Sequence, residues 1–259
     1  MIAVIIVSWN VCTQLHNCLT SLKTELDRAD TNHSSEAEAT VWVVDNASSD
    51  GSAAMVREHH PWVHLEEPGK NLGYVRGNNL ILKRILHNTP AVANVPDLIW
   101  LLNPDTEIHP GALESLQNFF AAHPRAGLVG PKLLNADGSL QHSAFHFPGL
   151  LQPLCELDWL PARWRLRFYE TRLNGRYAPR LYGATAPFRV DHPLGAAMMV
   201  RGTTLMDIGP LDEQFVMYCE EIDWAWRMHK AGWERWIVPE ATVTHHSGAS
   251  TSQAKPQTL

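Results

Sequence analysis

Two acidic groupings and one histidine have the types and spacing to do chemistry. Glu220, Glu221 and Asp223 fall within one turn of a stretch that reads as a helix from Phe215 to Ala231, closed by Gly232 and carrying Trp224 and Trp226. On a helix Asp223 and Arg227 are i,i+4 partners, which gives Asp223 a structural explanation. Glu220 and Glu221 point about a quarter-turn apart, so one can face a cleft while neighbours hold the other. A carboxylate in a partly apolar site beside Trp224 has its pKa raised and suits general-base work. The second grouping is Leu102-Asn103-Pro104-Asp105. The apolar run Leu98 to Leu102 predicts a short buried strand, Pro104 ends its pairing, and Asp105 is delivered at the carboxyl end of that strand, the edge where open α/β sheets bind ligands. Taken alone, an Asp in such a turn is more often an N-cap or turn former. His245 lies just past the last apolar run. An Asp and a His converging on one cleft can hold a divalent cation through oxygen and nitrogen.

The elements that must position these residues follow from the hydrophobic pattern. Residues 2–7 are a β-branched run and predict a first strand ending in Ser8-Trp9-Asn10. Leu15, Leu19, Leu22 and Leu26 recur at helical spacing and predict an amphipathic helix over 12–28, followed by a polar surface loop over 29–39. Val41 to Val44 read as a second strand ending at Asp45. The cap-rich run Asn46-Ala47-Ser48-Ser49-Asp50-Gly51-Ser52 predicts a helix from near Ser49 to before Pro61. A short strand near Val63–Glu66 precedes Asn71-Leu72-Gly73-Tyr74-Val75-Arg76-Gly77-Asn78-Asn79, which opens a helix from about Val75 to His87. Glycines, an Arg and several Asn at a helix start can receive an anion or a sugar, with Arg76 as a forked donor; a glycine-bearing turn with a solvated Arg fits equally.

Pro110 to Ala122 predicts a helix, Ala126–Leu134 a short strand, and Asn135-Ala136-Asp137-Gly138-Ser139 a hairpin-type turn. Gly195 to Val200 reads as a buried strand whose small opening residues let a ligand approach the backbone, and Trp236 to Val238 as the last strand. Strand–helix–strand alternation implies right-handed βαβ units and a parallel sheet.

Composition narrows the function classes. A formal charge of −6 argues against a general nucleic-acid binder, and 45% hydrophobic residues over 259 positions suffice for a sizeable core. Cys12, Cys18, Cys155 and Cys219 have no CxxC spacing, so neither a disulfide framework nor a zinc site is indicated, and Cys12 and Cys18 read as small core residues. Met1 to Val7 lacks a basic flank and reads as a strand, not a signal peptide, and no run reaches transmembrane length. A cytoplasmic, reducing location is the expectation, with a polar tail after Ser250. Residues 145–189 interleave Arg163, Arg165, Arg167, Arg172, Arg176, Arg180 and Arg189 with Trp159, Trp164, Phe168, Tyr169, Tyr177 and Tyr182. That mixture fits either anionic lipid head groups or a phosphate-bearing acceptor on the one hand, or an amphipathic helix packed on the domain on the other.

At this point the chain resembles the family 2 glycosyltransferases, in particular their bacterial rhamnosyltransferase-like branch. The resemblance rests on Val7-Ser8-Trp9-Asn10, Val44-Asp45-Asn46-Ala47-Ser48-Ser49-Asp50-Gly51-Ser52, Asn71-Leu72-Gly73-Tyr74, Leu102-Asn103-Pro104-Asp105, Gly195-Ala196-Ala197-Met198, Tyr218-Cys219-Glu220-Glu221-Ile222-Asp223 and Pro239-Glu240-Ala241, in that order. It implies a GT-A type α/β fold with a mixed, mainly parallel sheet flanked by helices. It implies one domain over 1–259, with a nucleotide-sugar-binding half (1–134) and an acceptor and catalytic half (135–259) carrying 145–189 as a basic-aromatic insertion. The implied reaction is inverting transfer of a sugar, by family branch L-rhamnose from dTDP-rhamnose or another dTDP- or UDP-linked donor, to a cell-envelope glycan or lipid-linked acceptor. By position, Ser8, Asn10 and Asp45 would hold base and ribose, and Arg76 would lie near the phosphates. Asn103-Pro104-Asp105 stands where the family has its DXD-type motif, so Asp105 would bind Mg²⁺ or Mn²⁺, with His245 matching the C-terminal metal ligand. The family usually reads Glu-Asp where this chain has Glu220-Glu221, so the base would be Glu221, one methylene longer. Gly73, Asn103, Gly195, Asp223 and Trp224 complete the candidate substrate-binding set. A peripheral membrane contact would run through 145–189. No GxGxxG follows a strand, which disfavours a dinucleotide dehydrogenase, and no Gly-rich phosphate loop follows the first strand, as a nucleotidyltransferase would want. A non-catalytic nucleotide-sugar-binding protein of the same fold stays open as the alternative, since fold does not fix function.

Overall fold

A computed structural model describes residues 1–32, 39–87, 95–149, 174–215 and 218–246. Arg163, Arg165, Arg167, Arg172, Trp159, Trp164, Phe168, Tyr169, Cys155 and the tail after Ser250 lie outside the described residues, as does most of the expected 29–39 loop. Numbered in chain order, the strands are β1 (Ile2–Ser8), β2 (Ala39–Asp45), β3 (His64–Glu66), β4 (Leu98–Leu102), β5 (Thr106–Ile108), β6 (Ala126–Leu134), β7 (Leu140–Gln141), β8 (Ala144–Phe145), β9 (Phe188–Arg189), β10 (His192–Pro193), β11 (Ala197–Arg201) and β12 (Glu234–His245). The helices are α1 (Cys12–Asn32), α2 (Ser52–His59), α3 (Gly73–His87), α4 (Ala112–Ala122), the single turn α5 (Arg180–Gly183), α6 (Gly202–Ile208) and α7 (Glu220–Lys230).

β1 is an interior strand of the sheet. Its buried, β-branched side chains suit a strand covered on both faces, and it pairs in parallel with β2 on one side and β4 on the other. The strand order is β3-β2-β1-β4-β11-β6-β12-β5. The β3-β2-β1-β4 half is parallel, whereas β11 runs antiparallel to both β4 and β6, β12 parallel to β6, and β5 antiparallel to β12. The sheet is thus mixed, and the order reverses direction at β1, which opens a crevice at the carboxyl ends of β1, β2 and β4.

Alternation along β1 divides the core in two. Ile2, Val4 and Ile6 join Leu15, Leu19 and Leu22 of α1 and Leu113, Leu116 and Phe120 of α4. Ala3, Ile5 and Val7 join Val75, Ile81 and Leu82 of α3 and Trp224, Ala225 and Met228 of α7. Gly77 lets α3 come this close: a Cβ there would sit 2.7 Å from a Val7 methyl.

Several expectations are adjusted. The helix carrying the acidic grouping starts at Glu220, not Phe215, because Tyr218 and Cys219 take left-handed backbone angles (φ 65 and 71) that a helix cannot absorb. Gly195 lies before β11, not in it. Cys12 is only half-buried at the start of α1, while Cys18 is buried. The last strand is twelve residues long, and His245 is its final residue, not a residue beyond it. Its pairing to β6 slips between Val238 and Thr242, around Pro239, which has no N–H to give the ladder.

Candidate functional site

The sheet register sets Ser8 beside Asp45 at the crevice. Ser8 Oγ and one carboxylate oxygen of Asp45, Oδ1, are buried without a hydrogen-bond partner among the described residues. The other, Oδ2, accepts from the Ser48 amide at 3.0 Å. Buried polar atoms are costly to leave unmatched, so a hydroxyl and a carboxylate oxygen side by side at this edge have the makings of a ligand contact. Asn10 is placed differently: its Oδ1 accepts the Ser49 amide at 2.7 Å, and its own amide donates to Ser48 Oγ at 2.9 Å. It stitches the β1 and β2 loops together, with Asn10 and Ala47 both in the left-handed region. Asp50 continues the seam, accepting from the Cys12 amide at the start of α1 and the Ser52 amide at the start of α2. Asn46 ties the end of β2 to α3, accepting from Leu72 N and donating to Gly73 O at 3.3 Å each. Gly73 itself is left-handed (φ 75). Arg76 is exposed, 3.7 Å from Glu213, and lines a pocket of ≈ 110 Å³ with Leu72, Val75, Glu213 and Phe215.

Asp105 and His245 are brought together by a pairing no local pattern announces. β12 runs antiparallel to β5 with His245 opposite Thr106, and the His246 amide donates to Asp105 O at 2.9 Å. His245 Nε2 then lies 3.4 Å from Asp105 Oδ1 and 3.5 Å from Asn103 Nδ2, and Asp105 is 5% exposed. Thr106 Oγ1 donates to Asn103 O at 2.8 Å, and the Asn103 amide donates to Ala196 O at 2.8 Å, which fixes the turn. One carboxylate oxygen and one imidazole nitrogen suit a divalent cation that takes its other ligands from a bound phosphate group. Among the described residues no group of three or more His, Cys, Asp and Glu is placed to hold a metal, so the fit is to a shared site of this kind.

The acidic pair sits at the first turn of α7, where the helix dipole favours negative charge. Glu220 is nearly buried, its Oε2 unpartnered among the described residues, and burial raises its pKa. Glu221 is raised to about 7, first by burial and then by the charge of Glu220. Glu221 also packs on Gly195: a Cβ built on that glycine would meet the Glu221 side chain at 3.8–4.0 Å. Gly195 O accepts the Tyr74 hydroxyl at 3.0 Å. The short segment Gly195-Ala196 is therefore held from α3 through Tyr74 and from the Asp105 turn through Asn103, with Glu221 lying against it. A carboxylate titrating near neutrality at the edge of a crevice is poised as a general base.

Residues 3–190 match the family described as glycosyl transferase family 2. The chain belongs to that family. It is 30% identical over 224 residues to the N-acetylglucosaminyl-diphospho-decaprenol L-rhamnosyltransferase of Mycobacterium tuberculosis, covering 84% of this chain and 70% of that protein. Its structure is similar to GalNAc-T7 solved with UDP, GalNAc and Mn²⁺ (TM-score 0.64, 14% identity, 95% of this chain and 44% of that one). It is also similar to the mannosyltransferase PcManGT of Pyrobaculum calidifontis solved with GDP-Man and Mn²⁺ (TM-score 0.59, 15% identity, 96% and 57%). The chain thus spans about half the length of those two solved structures, and the likeness is one of GT-A type fold. As a family 2 member it is a glycosyltransferase.

Within this family 2 chain one of the expected substrate contacts, Trp224, is corrected. Trp224 is fully buried and its indole N–H donates to Gly209 O at 3.0 Å, so it anchors α7 and has no face left for a ligand. Asp223 Oδ2 accepts from Arg227 Nε at 2.8 Å, while the same guanidinium donates to Ile208 O and Pro210 O, latching α7 to the preceding loop. Two residues the sequence did not single out as functional matter here. Tyr74 reaches Gly195, and Gln141 Oε1 lies 2.8 Å from His245 Nδ1. Tyr74 stands in a block the resemblance quoted; Gln141 has no local signal beyond following a hairpin turn. Among the described residues no helix is long and apolar enough to cross a membrane.

Proposed function

We propose that this chain transfers a sugar from a nucleotide-diphosphate donor to a hydroxyl of a lipid-linked or cell-envelope glycan acceptor, with inversion. L-Rhamnose is the sugar favoured, on the name of the Mycobacterium tuberculosis relative, and dTDP-rhamnose is the donor its branch implies. The observation that carries the reading is a buried Asp105 beside His245, in the turn whose Asn103 amide donates to Ala196 O, with a near-neutral Glu221 packed on the adjoining Gly195.

In this reading Ser8 Oγ and Asp45 Oδ1 meet polar edges of the base or ribose, and Arg76 lies near the phosphates. Asp105 and His245 hold Mg²⁺ or Mn²⁺, which when bound neutralises charge on the departing diphosphate. Glu221 accepts the proton of the acceptor hydroxyl as that oxygen bonds to the anomeric carbon and the bond from that carbon to the diphosphate oxygen breaks. The first turn of α7 and Gly195 hold the carboxylate in place, so base and acceptor meet without a separate ordering cost. Contact with a membrane surface through 145–189 would bring the enzyme to a lipid-linked acceptor.

Thermal stabilisation by dTDP, UDP and GDP, each with Mg²⁺, Mn²⁺ or chelator, tests this. One nucleotide at about 100 times its dissociation constant should add roughly 2.7 kcal/mol. The gain should depend on the metal and vanish in Asp105→Ala. A nucleotide effect indifferent to metal removes Asp105 and His245 as ligands, and no effect with any nucleotide favours the non-catalytic alternative or a different ligand.

A further inference from the structure

We infer that Gln141 is a positioning residue for the cation site: its side-chain carbonyl holds the Nδ1–H of His245 and so turns the Nε2 lone pair towards Asp105. The inference rests on the reading of Asp105 and His245 as cation ligands. It gives a purpose to the Asn135-Ala136-Asp137-Gly138-Ser139 turn, which the catalytic reading leaves unused.

The polarity of the contact can be read from its far end. Asn135 Nδ2 lies 3.4 Å from Leu140 O and 2.9 Å from Ser139 Oγ. A backbone carbonyl only accepts, so the Asn135 amide nitrogen faces that side and its Oδ1 faces away. Asn135 Oδ1 is 2.9 Å from Gln141 Nε2, and Gln141 must therefore donate there. That leaves Gln141 Oε1, an acceptor only, 2.8 Å from His245 Nδ1. The ring proton of a neutral His245 is thus drawn to Nδ1, and Nε2 carries the lone pair. Nε2 faces Asp105 Oδ1 at 3.4 Å with Asn103 Nδ2 at 3.5 Å. A lone pair and a carboxylate oxygen directed at each other are a donor set for a cation.

The turn makes this relay rigid. Asp137 Oδ1 accepts the Ser139 amide at 2.9 Å and its hydroxyl at 2.6 Å, the Gly138 amide donates to Asn135 O at 2.9 Å with Gly138 at φ 80, and the Asn135 amide donates to Ser139 O at 2.8 Å. Asn135 is held at both its backbone and its side chain, and β7 delivers Gln141 opposite Leu133. Hydrogen-bonded partners behind a ligating histidine orient the ring, and their loss costs about 10–100-fold in metal affinity.

The test uses the full chain with Mn²⁺ and whichever of dTDP, UDP or GDP stabilises it, with free Mn²⁺ read by its EPR signal against the same nucleotide without protein. Gln141→Met keeps the length but replaces the carbonyl by a thioether that accepts only weakly; it should weaken Mn²⁺ binding about 10–100-fold. Gln141→Glu, which still accepts, should bind at least as well as the parent. His245→Ala should remove the binding, and adding Gln141→Met to that variant should change nothing further. Full Mn²⁺ affinity in Gln141→Met with loss in His245→Ala overturns the inference and spares the metal reading, whereas full affinity in His245→Ala overturns both. Nitrogen chemical shifts of His245 in the metal-free parent protein at pH 8 need no variant. The Nδ1–H tautomer is expected, and an Nε2–H tautomer refutes the relay.

Discussion

Glu221→Gln should make the enzyme inactive and, at alkaline pH, more stable. In the fold the Glu221 carboxyl is raised from 4.5 to about 7, by burial and then by Glu220. The folded state therefore binds this proton more tightly than the unfolded chain does. Below pH 4.5 the residue is protonated in both states and contributes no difference. As pH rises from 4.5 to 7 the unfolded chain gives up the proton first, so folding stability falls across that window, and above 7 the full cost of a desolvated charge is present. A shift of this size corresponds to about 3 kcal/mol, at 1.36 kcal/mol per unit. Gln has nearly the same shape and no charge, so the variant escapes the loss. For a chain of this size that is a gain of roughly 6–12 °C in Tm at pH 8, fading to none near pH 4. Differential scanning fluorimetry of parent and variant from pH 4 to 8.5, without ligand, measures it, and sugar-transfer assays supply the loss of turnover with donor binding retained. A Tm difference that does not grow with pH, or a less stable variant at pH 8, would refute the reasoning that strain at this carboxylate is what poises it as a base.

Two further outcomes follow from the same geometry. Glu220→Gln removes the like charge that helps raise Glu221, so the rise of kcat/KM with pH should move to lower pH; an unmoved limb with full activity would show that burial alone sets Glu221, and a dead enzyme would show that Glu220 is the base. In Gly77→Ala the new methyl would sit 2.7 Å from Val7 Cγ1, on a stiff β-branched side chain. Overpacking of about 1–3 kcal/mol should exceed the helix-propensity gain of up to about 1 kcal/mol, so Tm should fall, with nucleotide binding weakened through α3; a rise in Tm would mean that the α3–β1 contact yields easily.

Much of the architecture is legible in the chain because each strand of the first half is a short apolar run followed by a cap-rich or glycine-bearing turn. Ser8, Asp45 and Asp105 could each be placed at a strand's carboxyl end for that reason, and Cys18 with its leucine neighbours on the buried stripe of α1. The pairing of Asp223 with Arg227 is equally local, an i,i+4 contact on one helix. Helix boundaries are less so: Tyr218 and Cys219 belong to a helical pattern by composition, yet their left-handed backbone postpones α7 to Glu220.

What the sequence by itself determined is the alternation that builds the sheet and the residue types that arrive at its edge. Only the tertiary structure decided which of them meet. Asp105 and His245 stand 140 positions apart and are joined by the antiparallel β5–β12 ladder, after a slip at Pro239 that periodicity does not reveal. Trp224 looked like a lining residue from its neighbours in the chain, but the packing of α7 onto β6, β10, β12 and α6 gave its ring to the core and its N–H to Gly209. The near-neutral Glu221 and the Gln141 relay likewise depend on desolvation and on hydrogen-bond polarity passed between segments far apart in sequence. Spacing along a chain fixes which face a side chain takes; the field and the partners it finds there belong to the folded whole.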